Sequence, residues 1–275
     1  MAKLNLDYYT AKDHYSDGDI ENTLLEMARE GKSFQDLPEE EVSFPMVYHF
    51  SDLRENILNW YPLKKTDSVL EIGAGCGAIT GMLCQKAGKV TSVELSRRRA
   101  EINFARNSEK ENLTIMVGNL NDMTFPENFD YVVVNGVLEY AMSFTEGKTP
   151  YETFLKEMGG YLKPEGKLLI AIENRLGLKY FAGAPEDHTD IHFFGIDGYP
   201  ENHSVRTFSK EELGELLKNS GFPFLHFYYP YPDYKFPTEI FTDESLYTNS
   251  YGRNYPVYTD KTAALFSESE GVKAF

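Results

Sequence analysis

The segment SVLEIGAGCGAIT, residues 68–80, restricts the fold of this 275-residue chain more than any other part of the sequence. A run of apolar residues leads into three glycines spaced two apart, Gly73, Gly75 and Gly77. A strand that turns into a helix through such glycines exposes backbone amides to which a nucleotide can bind closely. The segment therefore predicts a strand, a tight loop and a helix that together form a nucleotide-binding site.

Two kinds of nucleotide fit this loop. The pattern G-x-G-x-x-A, completed by Ala78, satisfies the dinucleotide fingerprint, whereas E-x-G-x-G-x-G, beginning at Glu71, suits S-adenosylmethionine. Glu94, at the end of the next apolar run, can bind ribose hydroxyls in either ligand. Glu71 can face the amino group of a methionine moiety, and the chain lacks the second nucleotide-binding half that NAD requires. These features favour S-adenosylmethionine.

Short apolar runs alternate with helical segments between residues 68 and 172. Strand, helix and strand in this order predict an α/β fold, with a doubly wound, Rossmann-like parallel sheet and helices on both faces. The predicted strands are 68–72, 90–94, 113–117, 131–134 and 167–172, and the predicted helices are 77–86, 97–107 and 151–162.

The segments that flank this region have other patterns. Residues 1–62 are predicted to form an N-terminal helical cap, and residues 63–275 the main domain. In the cap, one helix begins near Ile20 and stops at Gly31. A second helix, over residues 51–60, is predicted to point three side chains inward, those of Leu53, Ile57 and Trp60.

The part of the chain after residue 172 contains an insert and an aromatic region. Residues 173–207 have little periodicity and are predicted to be an insert after the fifth strand. A capping box that pairs Ser209 with Glu212 begins another helix. Residues 222–258 are rich in aromatic residues and prolines, so we expect extended strands that pack on the sheet edge.

Composition narrows the range of partners. The chain has 43 acidic and 27 basic residues, a formal charge of −16, so phosphate backbones and anionic membranes repel it. No run approaches 18 apolar residues, and the N-terminus lacks a signal core. We expect a soluble, cytoplasmic protein without nucleic-acid binding or membrane insertion. Cys76 and Cys84 lack metal or redox spacing and are predicted to be packing residues.

Four motifs in order, VLEIGAGCGAIT, VTSVELS, VGNLNDM and FDYVVVNGVLEY, resemble the successive motifs of class I S-adenosylmethionine-dependent methyltransferases. The resemblance implies a seven-stranded sheet whose last strand is antiparallel to the others. A narrower group, described below, continues into a final apolar strand after a segment like AALFSESEGVKAF, but the sequence stops at Phe275. We therefore expect the last strand to be missing and the chain to be a domain of a longer polypeptide.

The resemblance implies a cofactor, S-adenosylmethionine, with S-adenosylhomocysteine as the product. In this family the glycine loop lines the methionine portion, the acid after the second strand binds the ribose, and the residues after the third strand border the adenine. The segment after the fourth strand lies beside the methionine carboxylate and the transferring methyl. The cofactor-binding residues implied here are Glu71, Gly73, Ala74, Gly75, Gly77, Glu94, Leu95, Asn119, Leu120, Asn121, Asn135 and Gly136.

Segments 48–58, 171–189, 205–213 and 227–244 resemble a narrower group, the methyltransferases encoded beside glycosyltransferases in bacterial cell-surface polysaccharide clusters. That resemblance implies a small-molecule or glycan acceptor, methylated on a sugar hydroxyl, and a glycosyltransferase as a candidate partner. The helical cap and the insert would form the acceptor pocket. Four rings would suit sugar stacking, those of Tyr228, Tyr229, Tyr231 and Tyr234.

Deprotonation of an acceptor hydroxyl calls for a general base. The candidate base is His188, oriented by Asp187, with Glu173 as a second candidate and Glu139 in the same predicted region. No clustered spacing of metal ligands is present, so no metal is expected. N-methylation of a small amine, a non-catalytic module that binds S-adenosylmethionine, and an NAD-linked oxidoreductase are the alternatives.

Overall fold

Six strands form a sheet in which every neighbouring pair is parallel, in the order β1-β4-β3-β2-β5-β6. The computed structural model describes residues 1–11, 16, 18–200 and 204–245. The sheet is Rossmann-like, as the alternation of apolar runs predicts. Its strands are β1 (Lys3–Tyr8), β2 (Ser68–Ile72), β3 (Lys89–Glu94), β4 (Leu113–Gly118), β5 (Phe129–Asn135) and β6 (Leu162–Ala171).

Nine α-helices accompany these strands in the described ranges, and a separate hairpin follows them. The helices are α1 (Ile20–Glu30), α2 (Phe44–Phe50), α3 (Asn56–Asn59), α4 (Thr80–Lys86), α5 (Arg97–Asn107), α6 (Ala141–Phe144), α7 (Pro150–Gly160), α8 (Leu178–Phe181) and α9 (Lys210–Asn219). The hairpin is an antiparallel pair, β7 (Tyr228–Tyr231) and β8 (Glu239–Thr242). None of the helices in these ranges is long and apolar enough to cross a membrane.

The chain divides into two compact units that are discontinuous in sequence. The first unit contains the whole six-stranded sheet and comprises Met1–Asn135, Met158–Ala171 and Lys235–Pro237. The second comprises Gly136–Glu157, Ile172–Tyr234 and the described residues from Thr238 onward. The chain passes from the first unit to the second directly after β5 and again directly after β6.

The N-terminal segment is not helical throughout, which corrects the prediction for residues 1–62. Residues Lys3–Tyr8 form β1, which lies parallel to β4 with Leu4 opposite Ile115. Lysine, leucine, asparagine and leucine alternate at its start with the period of two that a strand requires. The predicted helix from Ile20 is confirmed as α1, and Gly31 ends it in the left-handed conformation.

The second predicted helix of the N-terminal segment is broken into two parts. Residues Asp52–Glu55 form a 3₁₀ turn capped by the Ser51 hydroxyl, and α3 follows. Ile57 is buried as predicted, but Leu53 and Trp60 are 45% and 43% exposed. The 3₁₀ turn has three residues per turn, so the 3.6-residue period assumed for residues 51–60 assigns these two side chains to the wrong side.

The remaining predictions about the sheet and its flanks have mixed outcomes. The five predicted strands are confirmed, whereas a seventh, antiparallel strand is not found among the described residues. Extended structure in the aromatic region is confirmed at β7 and β8, and residues 246–258 lie outside the described part of the chain.

The capping box of Ser209 and Glu212 is present at the start of α9. Both cysteines are buried free thiols.

Candidate active site

The glycine loop curls over the end of β3. All three glycines have positive φ, 66° at Gly73, 55° at Gly75 and 77° at Gly77, a conformation that side chains rarely adopt. The amides of Gly73 and Ala74 donate to the Val93 carbonyl, at 2.9 and 3.0 Å. The loop is thereby fixed at the carboxyl edge of the sheet, where ligands bind in open α/β folds.

Gly75 is the point at which this loop can admit a ligand. Its amide donates to Glu94 Oε2 at 2.7 Å. A Cβ at Gly75 would meet no atom within 4 Å, so the space in front of it is open. At Gly77, by contrast, a Cβ would lie 2.3 Å from Asn103 Oδ1, so that glycine is needed for packing. The backbone at Gly75 thus fits a cofactor that lies directly against it.

Glu94 ends β3 and shapes the loop with both carboxylate oxygens. Besides Gly75, it accepts a hydrogen bond from the Ser96 amide to Oε1 at 2.9 Å. Ser96 in turn caps α5. Burial raises the pKa of Glu94, although the hydrogen bonds from Ser96 and Gly75 and the charge of Arg99 oppose the shift. Each carboxylate oxygen has two lone pairs, so acceptor capacity remains for a ribose hydroxyl.

Glu71 has a structural role that the sequence did not reveal. Its Oε2 accepts hydrogen bonds from Thr80 Oγ1 at 2.7 Å and from Ser92 Oγ at 2.5 Å. Asn103 Nδ2 donates to the same Thr80 hydroxyl at 3.1 Å. These buried side chains connect β2, β3, α4 and α5 behind the glycine loop. A contact of Glu71 with the methionine amino group stays a prediction.

The Glu71 network predicts a specific dependence of stability on pH. Burial raises the pKa of Glu71 from 4.5 to about 7, against the hydrogen bonds from Ser92 and Thr80. The folded state therefore binds the proton more tightly than the unfolded state, so the stability due to this group falls as pH rises from about 4.5 to 7. We expect wild type to lose up to about 3 kcal/mol more than Glu71→Gln between pH 4.5 and 8. Urea unfolding of both proteins at several pH values measures this difference, and parallel pH curves would contradict it.

The other predicted cofactor residues follow the neighbouring strands. Asn119 comes directly after β4 and caps a 3₁₀ turn by accepting the Asn121 amide at 3.0 Å. Asn135 ends β5, and its buried Oδ1 has no hydrogen-bond partner among the described residues. Such an orphaned acceptor fits a site that binds a polar ligand. Leu95 and Leu120 are half-buried beside Glu94 and Asn119, and Gly136 has a φ of 68°.

Arg106 is a residue of this region that the sequence analysis missed. Its Nη1 donates to the carbonyl of Cys76, in the glycine loop, at 2.8 Å. The same nitrogen donates to the carbonyl of His49, in α2, at 2.7 Å. The guanidinium also lies 4.5 Å from the centre of the Phe50 ring. Arg106 therefore fixes α2 to the glycine loop. Its position on α5 resembles that of any helix-surface arginine, so no local signal identified it.

The second unit contains a buried cluster of titratable side chains. Glu139 lies four residues after the end of β5, and Glu173 lies two residues after the end of β6. Both are buried. The structure brings them together with His188, so that one ligand atom from each lies within 4.8 Å of the others. His188 Nε2 is 3.8 Å from Glu139 Oε1. The predicted candidates His188 and Glu173 thus share one site.

The carboxylate that orients His188 is that of Glu186, which corrects the pairing predicted with Asp187. Nδ1 of His188 lies 2.8 Å from Glu186 Oε1. Glu186 also accepts hydrogen bonds from the amides of His188 and Thr189 and from the Tyr199 hydroxyl. Asp187 instead accepts from Lys179 Nζ at 2.6 Å and the Tyr180 hydroxyl at 3.1 Å.

These carboxylates change the protonation of His188. Burial alone would lower its pKa, but Glu139, Glu186 and Glu173 outweigh burial and raise the pKa to about 10. His188 therefore carries its proton at neutral pH and cannot accept another. Burial raises the pKa of Glu139, although His188 opposes the shift. Glu139 Oε2 is buried and has no hydrogen-bond partner among the described residues.

The four tyrosines predicted to stack on a sugar do not share one environment. Tyr228 is 41% exposed, whereas Tyr234 is buried and its hydroxyl lies 3.0 Å from the position of a Cβ at Gly136. Tyr229 Oη donates to Asp243 at 2.5 Å and contacts Lys210. Tyr231 is half-buried in β7. Among these four, Tyr228 offers the largest exposed ring.

Residues 70–170 match the protein family described as the methyltransferase domain. This range runs from β2 almost to the end of β6 and contains the glycine loop, Glu94 and Asn135. Residues 70–170 of the chain are therefore similar to a methyltransferase domain. The cofactor of this domain is S-adenosylmethionine, in agreement with the prediction from the glycine loop.

Relatives of this region are named for different acceptors. A malonyl-[acyl-carrier protein] O-methyltransferase of Priestia megaterium is 26% identical over 156 residues, 56% of this chain and 46% of that protein. A ribosomal RNA small subunit methyltransferase A of Methanosarcina mazei is 42% identical over 81 residues, 30% of this chain and 29% of that protein. The chain thus spans about half the length of the first relative and less than a third of the second. The predicted absence of nucleic-acid binding stays a prediction.

A solved structure is also similar to this chain. It is phosphoethanolamine N-methyltransferase 1 of Haemonchus contortus, in complex with phosphoethanolamine and S-adenosylhomocysteine. The two proteins are 18% identical with a TM-score of 0.45, over 67% of this chain and 38% of the other.

Proposed function

We propose that this protein transfers the methyl group of S-adenosylmethionine to a hydroxyl of a small-molecule or glycan acceptor. The observation that carries the proposal is the glycine loop, held by Glu94 and open in front of Gly75. The cofactor residues we assign are those of the loop together with Glu94, Asn119 and Asn135. When bound, S-adenosylmethionine supplies a methyl group on a sulfonium, which needs no further activation.

The proposed contribution of the methyltransferase domain is orientation. Glu94 would accept the ribose hydroxyls while it holds the Gly75 amide, so binding of the sugar and the shape of the loop depend on one carboxylate. Charge-assisted hydrogen bonds of this kind are worth about 1.5–3 kcal/mol each. Positioning of two reactants can supply a large part of the rate enhancement of a displacement reaction.

The proposed proton acceptor is a carboxylate of the buried cluster. Glu139 and Glu173 lie four and two residues after the ends of β5 and β6, and the family resemblance assigns Asn135 and Gly136, at the end of β5, to the transferring methyl. His188 has a pKa of about 10 and would keep its proton. We therefore assign proton acceptance to Glu139, whose Oε2 has no partner in the described part of the chain, with His188 as its cationic positioning partner.

The proposed acceptor is a glycan hydroxyl of bacterial cell-surface polysaccharide biosynthesis. The motifs in 171–189 and 227–244 support this assignment, and so does the exposed ring of Tyr228, since sugar faces stack on aromatic rings. The insert 173–207 is assigned to the acceptor side because it contains Glu173 and His188. A glycosyltransferase is the proposed partner, and the proposed location is the cytoplasm.

Two measurements test the proposed function. Mass spectrometry of the protein as purified, and after incubation with S-adenosylmethionine, is expected to find S-adenosylmethionine or S-adenosylhomocysteine at one molecule per chain. Incubation with methyl-labelled cofactor and a panel of sugars, glycan precursors and small amines is expected to release S-adenosylhomocysteine and label a sugar oxygen. Label on an amine nitrogen would show that the acceptor group is an amine rather than a hydroxyl. Cofactor binding without product for any acceptor would favour a non-catalytic module.

A further inference from the structure

Three acidic side chains and one histidine are buried together in the second unit, which is an unusual concentration of charge. The carboxylates are those of Glu139, Glu173 and Glu186, and each is at most 5% exposed. Carboxylate oxygens and imidazole nitrogens are donor atoms that divalent metal ions prefer, so such a cluster is suited to a bound cation.

The spacing of the ligand atoms fits a single ion. His188 Nε2 and Glu139 Oε1 are 3.8 Å apart, which is longer than a hydrogen bond. Two ligand atoms that each bind one ion at about 2.0–2.2 Å lie about 3.3–3.6 Å apart in a tetrahedral site. The three ligand atoms of Glu139, Glu173 and His188 lie within 4.8 Å of one another, so an inward shift of less than about 1 Å would bring all three into range.

The surroundings of His188 have the organisation of a metal-binding imidazole. Ligating histidines usually donate their other ring nitrogen to a carboxylate, which fixes the tautomer and the ring plane. Here Nδ1 lies 2.8 Å from Glu186 Oε1, and Glu186 is held by the amides of His188 and Thr189 and by the Tyr199 hydroxyl. This arrangement directs Nε2 toward Glu139. The ring of Tyr140 packs edge-on against the imidazole, with the centroids 5.4 Å apart.

A second observation points to a ligand at the same place. Glu139 is 1% exposed, and its Oε2 has no hydrogen-bond partner within the residues that the structure describes. A buried carboxylate oxygen normally accepts a hydrogen bond, because leaving it unpaired costs its full desolvation energy. A cation bound by both carboxylate oxygens of Glu139, together with Glu173 and His188, would satisfy this oxygen.

We propose that Glu139, Glu173 and His188 bind one divalent first-row transition metal ion, with Glu186 as the positioning partner of His188. One imidazole nitrogen and two carboxylates form a ligand set suited to Mn²⁺, Fe²⁺ or Zn²⁺ rather than to the all-oxygen sites of Ca²⁺. On binding, His188 releases the proton of Nε2 and keeps the one shared with Glu186. With the ion bound, Glu139 and His188 are ligands, so the roles of base and cationic partner assigned above apply to the metal-free protein. An acceptor hydroxyl bound to the ion would have a lower pKa and would lose its proton to solvent. This last role rests on the proposed methyl transfer, whereas metal binding does not.

The test uses the full chain after treatment with a chelator, titrated with MnCl₂ and followed by calorimetry and by electron paramagnetic resonance of free Mn²⁺. Wild type is expected to bind one Mn²⁺ per chain. Glu186→Gln changes a residue outside the ligand set and is expected to weaken Mn²⁺ binding by about 10–100-fold. Glu139→Gln and Glu173→Gln each change a ligand and are expected to weaken it by more than that. Glu215→Gln, on the exposed face of α9, is the matched control and should bind as wild type does.

The outcomes separate this site from the proposed function. Absence of binding of both Mn²⁺ and Zn²⁺ by wild type, or equal affinity in wild type and Glu139→Gln, would overturn the proposal. If circular dichroism shows that Glu139→Gln is unfolded, the Mn²⁺ affinity of Glu186→Gln becomes the deciding measurement, because this variant keeps all three ligands. An affinity equal to that of wild type would then overturn the proposal. Titration of the same chelated protein with S-adenosylmethionine is independent of the metal. A protein that binds the ion but not the cofactor would keep this site and lose the methyltransferase proposal.

Discussion

Replacement of Glu94 by alanine is expected to weaken S-adenosylmethionine binding by at least about 100-fold, because we propose that Glu94 accepts two charge-assisted hydrogen bonds from the ribose, worth about 1.5–3 kcal/mol each. The same change removes the acceptor of the Gly75 amide, at 2.7 Å, and that of the Ser96 amide, at 2.9 Å. The loop would therefore lose its shape together with its ligand. Isothermal titration calorimetry with S-adenosylmethionine measures the effect.

Controls separate loss of the cofactor contact from loss of the fold. Glu109→Ala removes an exposed carboxylate next to α5 and should leave the dissociation constant unchanged. Glu94→Gln keeps one acceptor for the Gly75 amide, so we expect a smaller loss than in Glu94→Ala. Gly75→Arg fills the open side of the loop and should also prevent binding. Equal affinity in Glu94→Ala and Glu109→Ala, with both proteins folded, would refute the cofactor assignment.

The parts of the fold that could be predicted are those with a strong local period. β2, β3, β4, β5 and the second half of β6 are short apolar runs, and the helices between them have clear starts and stops. β1 was missed because its stability comes from pairing with β4, more than 100 residues away, rather than from its own six residues. In the same way, the 3₁₀ turn at Asp52–Glu55 interrupts a period that looks helical in sequence.

The sequence predicted which residues follow the strands near the candidate site, but not which of them contact one another. Glu139 and Glu173 were candidates because both follow predicted strands, and parallel strands end at one edge of a sheet. Which carboxylate faces His188 depends on the conformation of one turn. Asp187 is the neighbour of His188 in sequence, but Glu186 makes the contact. The network around Glu71 joins residues from four elements, and no local pattern identifies such a set.

The wide spacing of the buried cluster's residues along the chain also explains why no metal was expected from the sequence. Metal sites are recognised in sequence by close, regular spacing of ligands. Glu139, Glu173 and His188 are separated by 34 and 15 residues and come from segments after β5, after β6 and within the insert. Folding creates their proximity, so only the structure could suggest a shared ligand.

Replacement of Glu139 by glutamine is expected to lower methyl-transfer turnover by about 100-fold or more, the size of effect usual for loss of a general base. Glutamine has nearly the same shape but cannot accept the proton of the acceptor, and it removes the negative charge 3.8 Å from His188. S-adenosylmethionine binding should be kept, because Glu94 and the loop amides are unchanged. Release of S-adenosylhomocysteine, measured with the acceptor found in the panel, reports turnover, and calorimetry reports binding.

The pH profile distinguishes a chemical role of Glu139 from a structural one. Loss of the Glu139 charge removes one of the carboxylates that raise the pKa of His188 to about 10, so that pKa should fall in Glu139→Gln. NMR titration of the His188 ring measures this fall, which damage elsewhere in the fold would not produce. His188→Ala should likewise reduce turnover by about 100-fold while leaving cofactor binding intact. If Glu139→Gln turns over at the wild-type rate, the proton must go to another group, and Glu173 becomes the base to test.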